Sequence, residues 1–291
     1  MPDISFADGV LTFEPFTCVC GEHHELGTRR IIVRPGAVEE LTETLDELEL
    51  GRNTLLVCDE NTYDAAGGAV EAQLRSGERE VTLCRFPTRE WVRPDETAVG
   101  SLMMAMEQST ELMVVVGSGC LTDLTRFVAT RTGTPVVSVA TAPSMDGYAS
   151  PGSPMTHGGY KRTIDGTPPR AIIADTQIMS AAPSEMIASG FGDTIGKLTS
   201  RVDWKLSNLI TGEYYCPVIV DLVNQGADRC VAEAAAIGRG DSSAVGDLTE
   251  ALIMSGIAMA LAGTSRPASG SEHSLSHFWE MKAQVTGTHE H

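Results

Sequence analysis

Two histidines lie four residues apart near the end of the chain, in the segment GSEHSLSH that runs from Gly270 to His277. Four of the seven histidines (His273, His277, His289 and His291) lie at or after residue 273. Residues at i and i+4 share one face of a helix, so His273 and His277 could bind a metal ion or a polar substrate together. Histidines that cap a helix or face solvent would show the same spacing, and the pair alone favours that plainer interpretation.

An acid that could join these histidines is Asp193, which lies early in a predicted helix in the segment GFGDTIGK. A metal site would require Asp193 to meet ligands far along the chain, and the terminal histidines are the dense candidates. Without a metal, Asp193 could interact with the dipole of its helix or pair with Lys197, four residues on.

A separate group of candidate metal ligands lies near the N-terminus, where Cys18 and Cys20 precede His23 and His24. A C-x-C pair followed by histidines lacks a second pair of ligands at a standard spacing. This argues against a separate zinc site, and the role of these residues stays open.

The segment VVVGSGCLTD reads as a buried strand, a glycine turn and the start of a helix. Such a turn presents backbone N–H groups to a phosphate, and Gly117 and Gly119 would let a pyrophosphate approach the main chain. Asp123 lies in the first turn of this helix. The third glycine of the dinucleotide motif is absent, so an ordinary strand-to-helix turn explains the segment equally well. Asp59 ends the strand LLVCD, where it could bind ribose hydroxyls or cap a helix that begins near Tyr63.

Polar side chains also follow the next strand, in the segment SVATAPSMDGYASP. Thr141, Ser144, Asp146 and Ser150 would lie on one loop at the carboxyl edge of the sheet, where open α/β sheets bind ligands. A surface loop built from turn-forming residues would have a similar composition.

The elements that must position these residues follow from hydrophobic patterns. Short β-branched runs alternate with helical patterns in the first half, which predicts βαβ units and a Rossmann-like parallel sheet. From about Pro183 onward the patterns are helical. We therefore expect an α/β domain at residues 1–180 and an all-helical domain at residues 181–291. Between them the segment HGGYKRTIDG predicts a two-stranded flap.

Composition excludes several classes of protein. The net charge is −18 and there is no block of Lys and Arg, which argues against a surface for nucleic acid or anionic membranes. Seven cysteines, an odd number, indicate reduced thiols in a cytoplasmic protein. The start MPDISFADGV does not resemble a signal peptide. The apolar run from Ala251 to Gly263 is too short to cross a bilayer and predicts a buried helix.

Five segments in this order resemble the sn-glycerol-1-phosphate dehydrogenases: GSGCLTD, TAPSMDGYASP, AIIADT, GFGDTIGKLTSRVDW and SRPASGSEHSLSH. That family belongs with the iron-containing alcohol dehydrogenases, glycerol dehydrogenases and 3-dehydroquinate synthases. The similarity runs from about Ile31 to the end and is greatest to bacterial members. It implies the dehydroquinate synthase-like fold and a homo-oligomer.

The resemblance implies NAD(H) or NADP(H) and one divalent metal ion, zinc or nickel. The residues expected to contact the cofactor are Asp59, Gly117, Gly119, Cys120, Leu121, Thr122, Asp123, Thr141, Ala142, Pro143, Ser144 and Ser150. Asp193 and His273 are expected to bind the metal, and Asp193 also the substrate. Asp146 and His277 are expected to bind the substrate and to take part in catalysis. The family's third metal ligand is a histidine followed by glycine, a pair that this chain lacks after His277.

The implied reaction is the reversible reduction of dihydroxyacetone phosphate to sn-glycerol 1-phosphate, a step of phospholipid biosynthesis. The metal would polarise the ketone, and a water relayed by His277 or Asp146 would supply the proton. Lys161, Arg162 and Arg266 are candidates to bind the substrate phosphate, although each could equally be a surface or structural charge.

Two other functions stay open. One is a polyol dehydrogenase, such as a glycerol dehydrogenase, or an enzyme like dehydroquinate synthase. The other is a nucleotide-binding module with an incomplete metal site, because the third ligand would have to be His289, His291 or a residue beyond the chain end. On that basis we expect an incomplete helical domain that binds NAD(H), holds metal weakly and is nearly inactive until it is extended through the histidine-glycine pair.

Overall fold

The computed structural model describes residues 4–286, so His289 and His291 lie outside the described residues. The strands are β1 (Ser5–Ala7), β2 (Val10–Thr12), β3 (Phe16–Thr17), β4 (His23–His24), β5 (Arg30–Arg34), β6 (Asn53–Asp59), β7 (Glu80–Phe86), β8 (Leu112–Gly117), β9 (Val136–Ala140), β10 (Gly152–His157), β11 (Tyr160–Asp165) and β12 (Ala171–Asp175). The α-helices are α1 (Leu41–Glu47), α2 (Glu60–Thr62), α3 (Gly68–Ser76), α4 (Glu96–Ala105), α5 (Gly119–Thr132), α6 (Thr176–Ser180), α7 (Ser184–Thr211), α8 (Pro217–Ala232), α9 (Ala234–Ile237), α10 (Ser242–Ala262) and α11 (Ser271–Thr286). Short 3-10 helices cover Ala37–Glu40 and Gly147–Ala149.

An eight-stranded sheet with the order β1-β2-β5-β12-β9-β8-β6-β7 forms the centre of the N-terminal half. The six strands from β5 to β7 in that order are parallel, whereas β1 and β2 add an antiparallel edge. Strand β8 is buried throughout, which agrees with its uninterrupted apolar sequence, since helices cover both faces of such a sheet. The predicted α/β domain with a Rossmann-like parallel sheet is confirmed.

The helical pattern that follows β6 is interrupted at the glycines Gly67 and Gly68. Residues Tyr63–Gly67 form a π-helix between α2 and α3. An inserted turn of this kind accommodates an extra residue in a helix. The glycine pair therefore changes the helix locally without ending it.

The predicted two-stranded flap is present as β10 and β11, which pair antiparallel from Gly152↔Asp165 to His157↔Tyr160. The two-residue turn consists of Gly158 and Gly159, both with positive φ. Glycine tolerates this conformation, and such turns match the twist of the flanking strands.

Helices α7 to α11 form the C-terminal region, with α10 at its centre against α6, α7 and α8. By length and composition alone α10 could cross a membrane, but 78% of its apolar window is buried inside the protein. It is a core helix, as its apolar run predicts. The division of the chain at residue 180 stays a prediction.

Two helical glycines bring the C-terminal region against the loop that follows β9. A Cβ atom at Gly190 of α7 would overlap the carbonyl oxygen of Pro143. A Cβ at Gly256 of α10 would lie 2.5 Å from the carbonyl oxygen of Asp146. Larger residues at these two positions would push the loop away, so the glycines determine how closely α7 and α10 approach it.

Candidate active site

The turn between β8 and α5 leaves the N-terminus of α5 open. Ser118 occupies the N-cap position in an extended conformation, but its side chain makes no capping hydrogen bond. Its hydroxyl instead lies 2.5 Å from the Ser144 hydroxyl and donates to the Ala142 carbonyl at 3.3 Å. The N–H groups of the first turn of α5 therefore stay available to an anion, with the helix dipole favouring negative charge.

The two glycines of this turn have different surroundings. A Cβ at Gly117 would lie 2.8 Å from Leu121 Cδ1 and 2.9 Å from Leu121 Cβ, so this glycine is required by packing. A Cβ at Gly119 would meet only Met145 Cγ, at 3.4 Å. The space above Gly119 is thus open, as an approaching ligand would require.

Tyr148, for which the sequence gives no role, holds this turn against the loop that follows β9. The side chain is 1% exposed, and its hydroxyl donates to the Ala142 carbonyl at 2.9 Å. Burial raises the pKa of Tyr148, so the hydroxyl stays protonated and remains a donor. Its place in the segment DGYASP, among the polar residues already noted, was the available signal.

Asp123 and Arg126 form a buried pair on α5, with Arg126 Nη1 3.7 Å from Asp123 Oδ1. Burial raises the pKa of Asp123 to about 7, and Arg126 only partly offsets that effect. Arg126 donates to the carbonyls of Gly147 and Gly152 at 2.9 and 3.3 Å, and to that of Ser150. Asp123 Oδ1 has no hydrogen-bond partner, which leaves a buried acceptor near the start of α5. Asp123 is the fifth residue of this helix, so the predicted position in the first turn is wrong.

Asp59 caps the helix that follows β6. Its side chain accepts from the Thr62 N–H at 2.8 Å, while Thr62 Oγ1 accepts from the Asp59 N–H at 3.0 Å. This reciprocal arrangement is a capping box, so the capping interpretation of Asp59 is confirmed. A contact with a cofactor stays a prediction.

A buried ammonium group joins two of the predicted site residues. Lys197 Nζ lies 2.6 Å from Asp146 Oδ2 and 2.6 Å from Asp193 Oδ1, and its side chain is 1% exposed. Asp193 Oδ2 also accepts from the Asp146 N–H at 3.0 Å. The expected i, i+4 pair of Asp193 with Lys197 is confirmed, but the sequence did not predict the contact with Asp146.

These charges affect one another strongly. Burial raises the pKa of Asp146 to about 6, with Lys197 opposing that effect and Asp193 adding to it. Burial alone would lower the pKa of Lys197, but the two carboxylates raise it above its usual value. Lys197 therefore stays protonated and compensates the two acids.

The histidine pair lies on α11, which packs against α7 beside Asp193. The rings of His273 and His277 meet edge to face with centroids 4.7 Å apart. Burial lowers the pKa of His273, and His277 adds to this effect while Asp193 opposes it. The imidazole of His273 is therefore neutral near pH 7, the form that binds a metal. Both histidines share one helix face, as their spacing predicts.

The three candidates to bind the substrate phosphate, Lys161, Arg162 and Arg266, differ in their contacts. Lys161 of the flap donates to Glu280 Oε2 at 2.9 Å, and the same carboxylate oxygen lies 2.9 Å from His277 Nδ1. Lys161 also lowers the pKa of Asp123, so its charge acts at the start of α5. Arg162 is exposed, and Arg266 pairs with Glu213 at 2.8 Å. Of these three basic residues, Lys161 is thus the one that interacts both with α11 and with the start of α5.

The metal ligands expected from the resemblance are brought to the same region but do not form a complete site. Asp193 supplies a carboxylate and His273 an imidazole, which are suitable donors for zinc or nickel. Among residues 4–286, three or more potential ligand atoms within 4.8 Å of one another occur only in a different place, at Cys18, Cys20, His24 and Cys216. Among these residues Asp193 and His273 therefore have no third potential ligand at this spacing, and their role as metal ligands stays a prediction.

The chain is similar to known proteins over most of its length. A family model described as iron-containing alcohol dehydrogenase matches residues 32–183. A glycerol-1-phosphate dehydrogenase [NAD(P)+] of Halalkalibacterium halodurans is 37% identical over 267 residues, which cover 91% of this chain and 67% of the relative. One from Hyperthermus butylicus is 36% identical over 263 residues, with 90% and 74% covered. The chain spans about two thirds of the length of the curated relatives that it matches.

Solved structures share the fold. Glycerol dehydrogenase from Schizosaccharomyces pombe superposes with a TM-score of 0.68 at 17% identity, with 85% of this chain and 63% of that chain covered. An archaeal alcohol dehydrogenase from a Red Sea brine pool gives 0.70 at 17% identity, with 88% and 70% covered. These similarities confirm the expected fold class, an α/β domain followed by a helical region.

Proposed function

Because this chain belongs to the iron-containing alcohol dehydrogenase family and, within it, to the glycerol-1-phosphate dehydrogenases, we propose that it reduces dihydroxyacetone phosphate reversibly to sn-glycerol 1-phosphate with NAD(P)H. The observation that carries this proposal is that the start of α5, the Asp146–Lys197–Asp193 group and the histidine pair of α11 are linked through α7 and the loop after β9. Ser118 at the start of α5 contacts Ser144, whose carbonyl accepts from Ser189 of α7 at 3.1 Å. Asp193 and Lys197 also lie on α7. Helix α11, which carries His273 and His277, packs against α7.

The start of α5 fits the diphosphate of a dinucleotide. Its first N–H groups are uncapped, Gly119 leaves room for a close approach, and the dipole of α5 favours an anion. Gly117, Cys120, Leu121, Thr122 and Asp123 complete this turn, and the loop residues Thr141, Ala142, Pro143, Ser144 and Ser150 would border the remainder of the cofactor. Asp59 would face the adenosine half. NAD(P)H supplies the hydride when it is bound.

Asp193 and His273 would hold a divalent ion, zinc or nickel, through two of its positions. Such an ion polarises the substrate oxygen when it is bound. The donor types fit, and Lys197 balances the charge of Asp146 and Asp193 in this structure. Asp193 would also contact the substrate.

The side chains that face the substrate would orient it and move its proton. The Asp146 side chain is 14% exposed and lies beside Lys197, where its carboxyl group can accept a hydrogen bond from a substrate hydroxyl or donate one to it. His277 Nδ1 lies 2.9 Å from Glu280 Oε2, and its other ring nitrogen would contact the substrate. We assign the proton relay to these two residues.

Lys161 is the residue that we assign to the substrate phosphate, because it contacts Glu280 beside His277 and acts on Asp123. The test compares turnover of dihydroxyacetone phosphate with that of dihydroxyacetone. We expect Lys161→Met to raise KM for the phosphorylated ketone about 10- to 100-fold, the value of one charge-assisted hydrogen bond. The exposed neighbour Arg162→Met is the matched control and should change KM little.

Equal efficiency on the two ketones would contradict the assignment and would favour a polyol dehydrogenase. The absence of turnover on both would favour a nucleotide-binding module. If Lys161→Met raised KM equally for both ketones, this lysine would not recognise the phosphate.

The remaining assignments follow from the same proposal. We propose a cytoplasmic enzyme that acts on a small phosphorylated molecule, with no nucleic acid or membrane partner. The net charge of −18 and the seven free cysteines support this assignment. The division into residues 1–180 and 181–291 and the homo-oligomer stay predictions.

A further inference from the structure

Three cysteines and one histidine converge at a place remote from the residues assigned to the reaction. The ligand atoms of Cys18, Cys20, His24 and Cys216 all lie within 4.8 Å of one another. Cys18 and Cys20 lie in the turn between β3 and β4, His24 ends β4, and Cys216 precedes the first residue of α8. Cys216 supplies the further ligand that the sequence near Cys18 and Cys20 does not show.

We propose that Cys18, Cys20, His24 and Cys216 form a structural zinc site, separate from the reaction site. Four protein ligands of this type make a closed tetrahedral site, with no position left for a substrate. Thiolate and imidazole ligands in this geometry favour zinc over harder divalent ions.

The distances agree with a tetrahedral zinc site. Bonds of about 2.3 Å to sulfur and about 2.0 Å to nitrogen place two sulfurs about 3.8 Å apart and sulfur and nitrogen about 3.5 Å apart. Cys18 Sγ lies 3.6 Å from Cys216 Sγ, and His24 Nε2 lies 3.4 Å from Cys20 Sγ and 3.7 Å from Cys216 Sγ. A disulfide would require the two sulfurs to be about 2.05 Å apart.

The histidine has the tautomer that a metal needs. His24 Nδ1 lies 2.9 Å from the Leu261 carbonyl, which can only accept, so Nδ1 carries the hydrogen. Nε2 then presents its lone pair to the sulfurs. Metal-binding histidines characteristically donate their second N–H to a carbonyl or carboxylate in this way.

The proposed zinc site lies inside the protein. His24 is 1% exposed and Cys216 is fully buried. A zinc ion would join the β3–β4 turn to the start of α8, while His24 ties that turn to the end of α10 through Leu261. The site would therefore hold the N-terminal segment to the helical region, with the stabilising effect that structural zinc sites provide.

The test separates this metal from any metal of the reaction site. The full chain with Asp193→Asn and His273→Ala is purified, and its zinc content is measured after dialysis. We expect about one equivalent of zinc to remain, as a closed four-ligand site would hold. Cobalt exchanged into this variant should show thiolate-to-metal charge-transfer absorption, which ligands without sulfur cannot produce.

Cys20→Ser and Cys216→Ser should lose the zinc equivalent and the cobalt absorption, whereas Cys230→Ala, a buried cysteine later in α8, should keep both. Should Cys216→Ser fail to fold, Cys20→Ser decides, since Cys20 lies in the partly exposed turn. Zinc absent from the Asp193→Asn and His273→Ala variant, cobalt absorption that survives Cys20→Ser, or a disulfide between Cys18 and Cys216 found by mass spectrometry would each overturn the proposal.

Discussion

Replacement of Lys197 by methionine should destabilise the folded protein strongly. Lys197 Nζ contacts one oxygen of Asp146 and one of Asp193, each at 2.6 Å, and its side chain is 1% exposed, against 14% and 17% for the two acids. Methionine nearly preserves the length of the side chain but leaves two carboxylates without their cation. Removing one partner of a buried ion pair costs about 3–5 kcal/mol. That loss is a large part of the roughly 5–15 kcal/mol that stabilises a typical protein.

The measurement is the free energy of unfolding in urea, with no metal or cofactor added. Lys205→Met is the matched control on the same helix, because Lys205 is exposed and its Nζ lies 4.4 Å from the centre of the Tyr215 ring. An exposed contact of this kind contributes about 0.5–1 kcal/mol. Adding Asp146→Asn to Lys197→Met should recover part of the lost stability, because it removes one of the two uncompensated charges.

If Lys197→Met lowered the free energy of unfolding by less than about 1 kcal/mol, its effect would equal that of a surface substitution. That result would refute the claim that Lys197 forms a stabilising ion pair with the two acids. A combined Lys197→Met and Asp146→Asn variant that is less stable than Lys197→Met alone would refute the charge argument. In that case the lysine would contribute mainly through its packing.

Two further predictions concern the start of α5. Gly119→Val should weaken NAD(H) binding at least about tenfold by calorimetry, because the valine side chain fills the space left for the diphosphate. Unchanged affinity would remove the assignment. Gly117→Val should instead destabilise the folded protein, because its side chain would clash with Leu121. Asp123 keeps its proton in the folded state up to about pH 7, whereas an unfolded aspartate loses it near pH 4, so stability should fall as pH rises between these values. Asp123→Asn should remove up to about 4 kcal/mol of that dependence in urea titrations without cofactor, and an unchanged slope would show that Asp123 is ionised throughout.

Local patterns were sufficient to predict much of the architecture. The apolar strands alternating with helices, the Gly158-Gly159 turn of the flap and the helices after Pro183 all agree with the structure. These features depend on neighbouring residues, which a sequence shows directly. The resemblance to glycerol-1-phosphate dehydrogenases, which rested on motifs in a fixed order, is confirmed by the relatives.

Short elements were harder to predict from the sequence. Strands β1 to β4 contain two or three residues each, too few for a recognisable alternation. Tyr148 lies in a polar segment that the sequence singles out, but neither Tyr148 nor Arg126 shows by its local sequence that it is a buried donor to loop carbonyls. Their partners are determined by the path of the loop after β9, which periodicity does not reveal.

The contacts that define both sites join residues distant in sequence. Cys216 lies far along the chain from His24, and Lys197 reaches Asp146 only because α7 approaches the loop after β9 at Gly190. A helical glycine ordinarily costs about 1 kcal/mol relative to alanine, so its presence in α7 requires a compensating contact. That compensation is the close approach that places Asp193 and Asp146 on either side of one ammonium group. Gly190 thus marks this meeting, whereas Gly192 of the same helix has no atom within 4 Å of its Cβ position, so a helical glycine alone does not identify such a contact.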